Sequence, residues 1–584
     1  MLRLQTDPSF LDSHSTAQIV LILGAVAVGA LVVATLAFRV RSRWLLAATL
    51  ALGVVQLFGP FGFTSVALLV TCTLFPVAFW RTRGIRGVPF VWGLLLGALA
   101  IWEAISVLWS EKLGSAGYAV IFSVALLTVF LLALDVVRRD AGGGPMAVAA
   151  AAPFVIVSGL IVIAFRFIPH LEGQYLLSPV ARLFSEPDVI LISESEINIA
   201  LDPIRSLGVF ADVAQPPGST GLLEGLFLNS ELTNFQNVLS PDKAGGVFLN
   251  GNTASLFFGV AACVSVWALA ATRGGGVAAV VASGDASAGA AGVTSGTGAS
   301  GTGGSGAGAS GMAPTTQPVR VRDAAPAAGS VAADPARGWL VALHAATAVV
   351  SVAALVATGS KTALVLLVGL PLLALFIAWA VRHPLPGTIV GIVGVLVAAA
   401  GATALLIKRP DLLTSSTLGD RLGLWRMVAE SFPERWFTGF GFGNWRFHIV
   451  EEWPFYFPGV APQVWPPHNI FLQAWTNAGI VSLVLVLVIM ILPLVAALRR
   501  MGEARRCTKS VPARRGSANR SSAPLWTSPF APIPIARGAV FVGLAWILVH
   551  GMADTTNYAG DNHTLPLAAL LTALALTPTR KIAA

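Results

Sequence analysis

Long apolar runs separated by short polar segments dominate this chain. Each run is continuously apolar over about twenty residues, which is typical of membrane-spanning helices and not of the alternating strands of a β-barrel. The pattern therefore predicts an all-α, polytopic integral membrane protein with about 12–13 transmembrane helices. We place thirteen spans, at residues 17–38, 44–59, 64–80, 89–109, 116–136, 146–165, 253–271, 339–358, 362–381, 388–407, 470–498, 538–553 and 564–577.

Arginines in the short loops predict how the spans are oriented, because positive charge concentrates on the cytoplasmic side of a membrane. With the N-terminus outside, every short basic loop falls inside. These loops include Arg39, Arg41 and Arg43, then Arg81, Arg83 and Arg86, then Arg138 and Arg139, and later Arg320, Arg322 and Arg337. We therefore expect the N-terminus outside and the C-terminus inside.

Composition supports the membrane class and excludes others. Hydrophobic residues make up 55% of the chain and charged residues 11%. A net charge of +9 would suggest nucleic acid in a soluble protein, but here the basic residues lie in loops where they set orientation, so we expect no nucleic-acid partner. Three widely separated cysteines give neither a disulfide framework nor a zinc motif, and we predict no metal and no cofactor.

The polar segments divide the chain into five parts. We expect an N-terminal bundle at residues 1–273 (spans 1–7, with an external loop at 166–252) and a disordered Gly/Ala/Ser cytoplasmic linker at 274–337. A core at 338–498 (spans 8–11) carries a second external loop, 408–469, with short interfacial helices. A basic cytoplasmic loop follows at 499–537, near anionic lipid, and the last two spans and the tail occupy 538–584.

The strongest chemical signal is a histidine where the second external loop meets a span. Pro466-Pro467 keep the approach extended, and Asn469 is placed to cap the helix that starts at Ile470. The positive end of that helix disfavours imidazolium at His468, so a neutral base is expected. The alternative is an interfacial histidine that only caps the helix.

Upstream, the same loop predicts a short amphipathic helix that Pro433 ends. One face would hold the apolar residues Leu418, Leu422, Trp425, Ala429 and Phe432. Arg421 and Arg426 flank this stripe, and guanidinium groups bind a diphosphate well because their donors are bidentate and permanently charged. The alternative is that both arginines merely extend to the interface.

Other positions are weaker candidates. Lys361 puts a cation in a tight external turn, where it either faces the same cavity or is an ordinary hairpin lysine. Gly439 to Gly443 and Gly359 to Thr362 lack the setting of nucleotide-binding loops. Glu103, His550 and Asp554 are ionisable groups in or near spans, which makes them functional candidates.

Five motifs occur in the order found in O-antigen ligase/polymerase-related proteins, which the chain resembles over about residues 90–575. They are Ser106-Val107-Leu108-Trp109-Ser110, Gly246 to Asn252, Gly359-Ser360-Lys361-Thr362, Arg421 to Trp425 with Phe432-Pro433 and the glycine run, and His468-Asn469 with Asn477-Ala478-Gly479-Ile480. Lys361 stands where the family has arginine, which keeps the charge and loses the bidentate fork.

The resemblance implies a bacterial cytoplasmic-membrane enzyme that transfers a glycan from undecaprenyl diphosphate to a hydroxyl acceptor on the outer face. Transfer would be inverting and metal-independent. It implies His468 as the catalytic base and Arg421, with Lys361, as the diphosphate site. Arg426, Arg435 and Asn469 are further substrate-binding candidates. The partners would be the lipid-linked donor, a glycan or lipid acceptor and membrane lipids.

Three alternatives stay open at this stage. The first is a surface-polysaccharide polymerase of the same family. The second is a secondary transporter, suggested by many spans and by Glu103, His550 and Asp554, although no internal repeat is evident. The third is a non-catalytic scaffold of a glycan-export assembly. The oligomeric state stays open.

Overall fold

The computed structural model describes the greater part of the chain. The described residues are 16–57, 65–110, 116–140, 142–168, 171–172, 175, 180, 243–248, 250–289, 335–381, 383–408, 417–457, 465–503, 532–554 and 556–577. The central part of the predicted loop 166–252, most of the predicted linker (290–334) and residues 504–531 of the predicted basic loop lie outside them.

The described residues are mostly helical, with no strand among them. Its α-helices are α1 (Thr16–Ala37), α2 (Ser42–Val54), α3 (Val66–Thr73), α4 (Phe75–Arg81), α5 (Val88–Ile105), α6 (Ala116–Arg139), α7 (Gly143–Phe167), α8 (Gly251–Gly289), α9 (Pro335–Ala357), α10 (Lys361–Ala380), α11 (Pro384–Lys408), α12 (Thr417–Arg435), α13 (Trp445–Tyr456), α14 (Ile470–Glu503), α15 (Pro532–Gly551) and α16 (Leu565–Leu576). Short 3-10 helices follow at Ser106–Trp109 and Gly246–Phe248.

Each of the thirteen predicted spans coincides with helical structure, and the protein is an all-α polytopic membrane protein. Within the described residues, eight helices are long and apolar enough to cross a membrane: α5 to α11 and α14. The apolar segments Gly24–Ala37 of α1 and Ile535–Gly551 of α15 are shorter, as are α2, α16 and the pair α3–α4.

Two predicted boundaries differ from the structure. The span predicted at 64–80 is broken at Leu74, where a new helix starts with Pro76 in its first turn because proline fits a helix start but not an interior. The segment predicted as a linker from 274 begins as a continuation of α8 to Gly289. Extending an existing helix through an alanine-rich segment avoids the cost of a new nucleus.

Helices α6 and α8 lie at the centre of the bundle, and α11 lies at its edge. In the most apolar part of each helix, 83% of the residues of α8 and 72% of those of α6 are buried, compared with 6% in α11. Helix α8 packs against α9 and α15, and α6 packs against α5 and α16. Small residues allow these close approaches: a side chain at Gly259 would overlap the ring of Trp546.

The chain runs up and down, so the loops collect at two ends. At one end, Arg81 donates to Ser42 Oγ and to backbone carbonyls, Ser42 donates to Asp135, and Arg139 pairs with Asp135 at 2.7 Å. At the other end, which we call the loop end, lie the described residues of the segments 106–110, 243–251, 358–361, 417–469 and 551–564. Hydrogen bonds join 106–110 and Met552 to the 417–469 segment, and join Ala244 to Thr358. The site residues implied by the resemblance lie at this end: Lys361, Arg421, Arg426, Arg435, His468 and Asn469.

Buried polar contacts with the transmembrane bundle hold the segment that joins α15 to α16. Tyr118 donates to the side chain of Asn562, and Ser123 and Tyr558 share a hydrogen bond of 2.6 Å. Gln56 donates to the Asn562 carbonyl at 3.0 Å. Since these partners lie on α6 and directly after α2, the transmembrane bundle itself sets the position of this short segment.

Candidate active site

The backbone presents His468 in an unusual conformation. Among the described residues it is the one non-glycine residue with a positive φ, at 49°. Its neighbours hold it there: Trp425 Nε1 on α12 donates to the Pro467 carbonyl at 2.8 Å, and Pro466 and Pro467 are buried. Since such a conformation is costly for a side chain other than glycine, the surrounding contacts must enforce it.

Asn469 caps α14, as the sequence predicts. Its Oδ1 accepts hydrogen bonds from the amides of Phe471 (3.0 Å) and Leu472 (3.3 Å). Its Nδ2 donates to the Met552 carbonyl at 3.2 Å. One side chain therefore starts the helix and ties the end of the large loop to the segment after α15.

That tie brings Asp554 beside His468. His468 Nδ1 lies 3.7 Å from Asp554 Oδ1, and both side chains are largely buried. Burial alone would raise the pKa of Asp554, but the contact with His468 and the electrostatic interactions with His550, His468 and Arg421 lower it to about 2. An anion that faces Nδ1 favours the histidine tautomer with the proton on that nitrogen, and in that tautomer Nε2 is the proton acceptor.

From the sequence, Asp554 and His550 are recognisable only as ionisable groups near the end of a span. His550 is fully buried, with Nε2 3.3 Å from Ser255 Oγ on α8. Nothing in the sequence near either residue indicates a contact with His468, which is more than eighty residues away. The signal that could have identified them is the presence of two ionisable side chains, His550 and Asp554, at the end of one span.

Helix α12 carries apolar residues on two sides, and the predicted stripe with Leu422 and Phe432 is the side that the protein leaves exposed. Helix α12 buries Leu424, Met427 and Val428, whereas Leu422 and Phe432 are 36% and 41% exposed. The reason is tertiary: the loop has a small aromatic core of its own, formed with Phe440, Trp445, Ile449, Trp453 and Trp475. Helix α12 also passes through Pro433 to Arg435, because a proline removes only its own amide donor from the last turns.

The orientation of α12 separates its two arginines. Arg421 lies on the inner side, where its charge acts on Asp554 and His550, and its Nε is buried without a hydrogen-bond partner. Arg426 faces outwards, with a side chain 73% exposed and Nε 2.7 Å from Glu430 Oε1. The structure therefore gathers Arg421, not Arg426, with His468 and Asp554.

Glu430 also accepts a hydrogen bond from Tyr456 on α13 at 2.5 Å, and these bonds from Tyr456 and Arg426 lower the pKa of Glu430. The other basic candidate of α12 is Arg435, whose guanidinium lies 5.6 Å from the centre of the Phe440 ring. Both arginines thus brace the outer parts of the loop.

The glycine run 439–443 is a backbone junction between the loop and α5. Gly441 has φ 89°, and a Cβ there would lie 1.7 Å from Ser110 Oγ. The Phe442 amide donates to Ser106 Oγ at 2.9 Å, and Trp109 Nε1 donates to the Thr438 carbonyl at 2.9 Å. The motif 106–110 and the glycine run therefore fit together as one joint.

Lys361 begins α10 next to the 243–251 segment. The Ala244 amide donates to the Thr358 carbonyl at 3.3 Å, and Gly359 turns the chain with φ 71°. Lys361 itself is exposed. Glu172 holds the adjacent segment by accepting from the amides of Gly245 (2.8 Å) and Gly246 (3.3 Å), and burial raises its pKa to about 7.

In the part of the chain that the structure describes, no group of three or more histidine, cysteine or acidic side chains is arranged to hold a metal ion. The polar groups that meet at the loop end are a histidine, an aspartate and an arginine. An imidazole can accept a proton, and a guanidinium can neutralise a developing negative charge.

Comparison with known proteins gives one match. Residues 346–487 match the family model described as O-antigen ligase. The matched region runs from α9 into α14. It contains the six site residues that the resemblance implies, whereas Asp554 and His550 lie beyond it. No curated protein and no solved structure matches the chain.

Proposed function

We propose that the protein transfers a glycan from undecaprenyl diphosphate to a hydroxyl acceptor at the outer face of the bacterial cytoplasmic membrane. The match of residues 346–487 to the O-antigen ligase family supports an O-antigen ligase-related membrane glycan enzyme. The observation that carries the proposal is the contact between His468 and Asp554, with Arg421 on the inner side of α12 and its Nε buried.

In the proposed reaction, the acceptor oxygen attacks the anomeric carbon and the bond from that carbon to the diphosphate breaks. His468 Nε2 takes the acceptor proton, since Nδ1 faces Asp554. The diphosphate leaves with the bonding electron pair, and its added negative charge needs a fixed cation. Attack from the side opposite the leaving group inverts the anomeric centre.

We assign neutralisation of the leaving diphosphate to Arg421, with Lys361 as a second cation. Arg421 has a buried Nε without a partner, so a phosphate oxygen would satisfy a donor that the protein leaves open. Lys361 starts a helix at the same end of the bundle. We place Arg426 and Arg435 outside the reacting centre, because each already braces a neighbour in the loop.

The outer-face assignment rests on charge. The end opposite the site carries Arg81, Arg139, Arg337, Arg500 and Arg537, which bind backbone carbonyls there. Under the positive-inside rule that end is cytoplasmic, and the site is then external. There, no nucleotide is available and a lipid-linked glycan is the natural donor.

The test uses purified protein in lipid vesicles with an undecaprenyl-diphosphate glycan. We expect His468→Ala and Arg421→Ala each to reduce transfer at least about 100-fold, since each removes one of the two charge-handling groups. Arg426→Ala is the matched control on the same helix and should stay within about twofold, as expected for an exposed ion pair. Undiminished transfer in both site variants would refute the assignment.

The same experiment separates a ligase from a polymerase. Both reactions use a lipid-linked donor and a hydroxyl acceptor, and the family covers both. A polymerase adds to another lipid-linked glycan and gives a ladder of lengthening products, whereas a ligase gives one addition to a different acceptor. Supplying donor alone, and then donor with candidate acceptors, distinguishes these products.

A further inference from the structure

The outer side of α12 carries an apolar surface that the loop leaves uncovered. We define it as the outer stripe: Leu422, Phe432, Trp436 and Phe437, which are 36%, 41%, 52% and 45% exposed. Leu422 and Phe432 lie on one side of α12, and Trp436 and Phe437 follow directly after its last residue, Arg435. The opposite side is already filled by Leu424 and Met427, both fully buried.

The stripe is held rigidly. The Trp436 carbonyl accepts from Trp475 Nε1 (3.0 Å) and from the Ile480 amide (3.0 Å), both on α14. The ring of Phe432 lies 5.0 Å from that of Trp475. Exposed aromatic rings on a backbone fixed to a membrane-crossing helix do not result from a frayed segment, so they need a covering partner.

The lipid-facing side of α5 leads directly to the stripe. Exposed residues recur along α5 at Val91, Leu94, Ile101 and Ile105 and end at Leu108, which is 80% exposed. This is the spacing of one helix side, on a helix long and apolar enough to cross a membrane. Lipid therefore covers this side along its length.

Two contacts make the surfaces continuous. The Phe437 ring lies 5.8 Å from that of Trp102 on α5, and Trp109 Nε1 donates to the Thr438 carbonyl at 2.9 Å. The Trp436 and Phe437 rings are 5.4 Å apart, which carries the apolar surface onto α12. Trp and Phe with an adjacent exposed arginine, here Arg426, are the composition of a membrane interface.

We propose that the outer stripe is a membrane-binding surface: it lies in the headgroup and upper acyl region of the bilayer and holds the loop that carries Arg421 and His468 against the lipid. The partner is the bilayer itself, reached from the lipid-facing side of α5. The inner side of α12 keeps Arg421 at the site, while the outer side fixes the depth of the helix. This proposal does not depend on the glycan-transfer reaction.

The test measures where single positions lie in the full-length protein. In a background with Cys72, Cys263 and Cys507 replaced by alanine, a spin label is attached to Leu422→Cys, Phe432→Cys or Trp436→Cys and the protein is placed in lipid nanodiscs. Relaxation by oxygen, which concentrates in lipid, is compared with relaxation by a water-soluble nickel chelate. Leu94→Cys is the lipid control, and Glu434→Cys, about 200° round α12 from Phe432, is the water control.

We expect the oxygen-to-nickel ratio at the three stripe positions to exceed that at Glu434 by at least about threefold and to approach that at Leu94, as an apolar face in the interface requires. A ratio equal to the Glu434 value would overturn the proposal. Low access to both reagents would also overturn it, because protein would then cover the stripe. Three separate positions keep the test decisive if one variant fails to fold, and no readout depends on catalysis.

Discussion

Replacing Asp554 by asparagine isolates the role of its charge. The substitution keeps the shape of the side chain and removes the anion that faces His468 Nδ1. The pKa of Asp554 falls from an ordinary 3.8 to about 2, so its neighbours stabilise the anion by roughly 2–3 kcal/mol at about 1.4 kcal/mol per pH unit. The same coupling orients the histidine. His550 and Arg421 share this stabilisation, so losing the part that involves His468 in the transition state slows transfer by at most roughly 30- to 150-fold.

The assay is steady-state transfer in vesicles, with kcat and KM for the acceptor measured separately. We expect Asp554→Asn to lower kcat and to leave KM within about threefold, and Asp554→Glu to recover part of the loss, because a positioning carboxylate acts on the base and not on binding. Circular dichroism and the melting temperature confirm that each variant is folded. An Asp554→Asn enzyme with normal kcat would refute the pairing with His468.

Asp554 also makes the stability of the folded protein depend on pH in the acid range. Because the folded pKa is lower than the ordinary value, Asp554 contributes stability above about pH 4, and this contribution is lost as the pH falls towards about 2. The melting temperature of the wild-type protein should therefore fall over this range more steeply than that of Asp554→Asn. Equal slopes would contradict the pKa argument.

Three further outcomes are expected. Asn469→Ala should destabilise the protein by about 1–2 kcal/mol in thermal unfolding, whereas Asn469→Asp should retain most of the cap. Gly441→Ala should cost about 3 kcal/mol or more, because its Cβ would overlap Ser110, and Gly369→Ala, with open space around it, is the neutral control. Glu172 has a raised pKa of about 7, so its stabilising contribution is present at pH 4.5 and is lost as the pH rises through 7; Glu172→Gln should flatten the dependence of the melting temperature on pH between 5 and 8.

The spans could be predicted from the sequence because, in a membrane, the length of an apolar run is enough to identify a helix. A run of about twenty apolar residues must form a helix wherever it lies, since the bilayer offers its backbone no other hydrogen-bond partner. That rule located helical structure in all thirteen predicted places. The rule did not predict the break near Pro76, where one predicted span is divided into α3 and α4.

The face of α12 shows where the local rule stops. Periodicity placed Leu422 and Phe432 on one apolar face, and the helix has further apolar residues, Leu424 and Met427, on another side. Only the aromatic core built with Trp453 and Trp475 decides which side turns inwards. The same orientation of α12 places Arg421 on the inner side, near His468 and Asp554, and Arg426 on the surface.

The sequence by itself determined the class of the protein, the places of its spans, the candidate histidine and the cap at Asn469, because each depends on residues close together in the chain. Only the tertiary structure decided that Asp554 meets His468, that the glycine run fits the 106–110 segment, and that α12 leaves its second apolar side uncovered. These are contacts between segments up to hundreds of residues apart. Their geometry depends on how the helices pack, which no local pattern encodes.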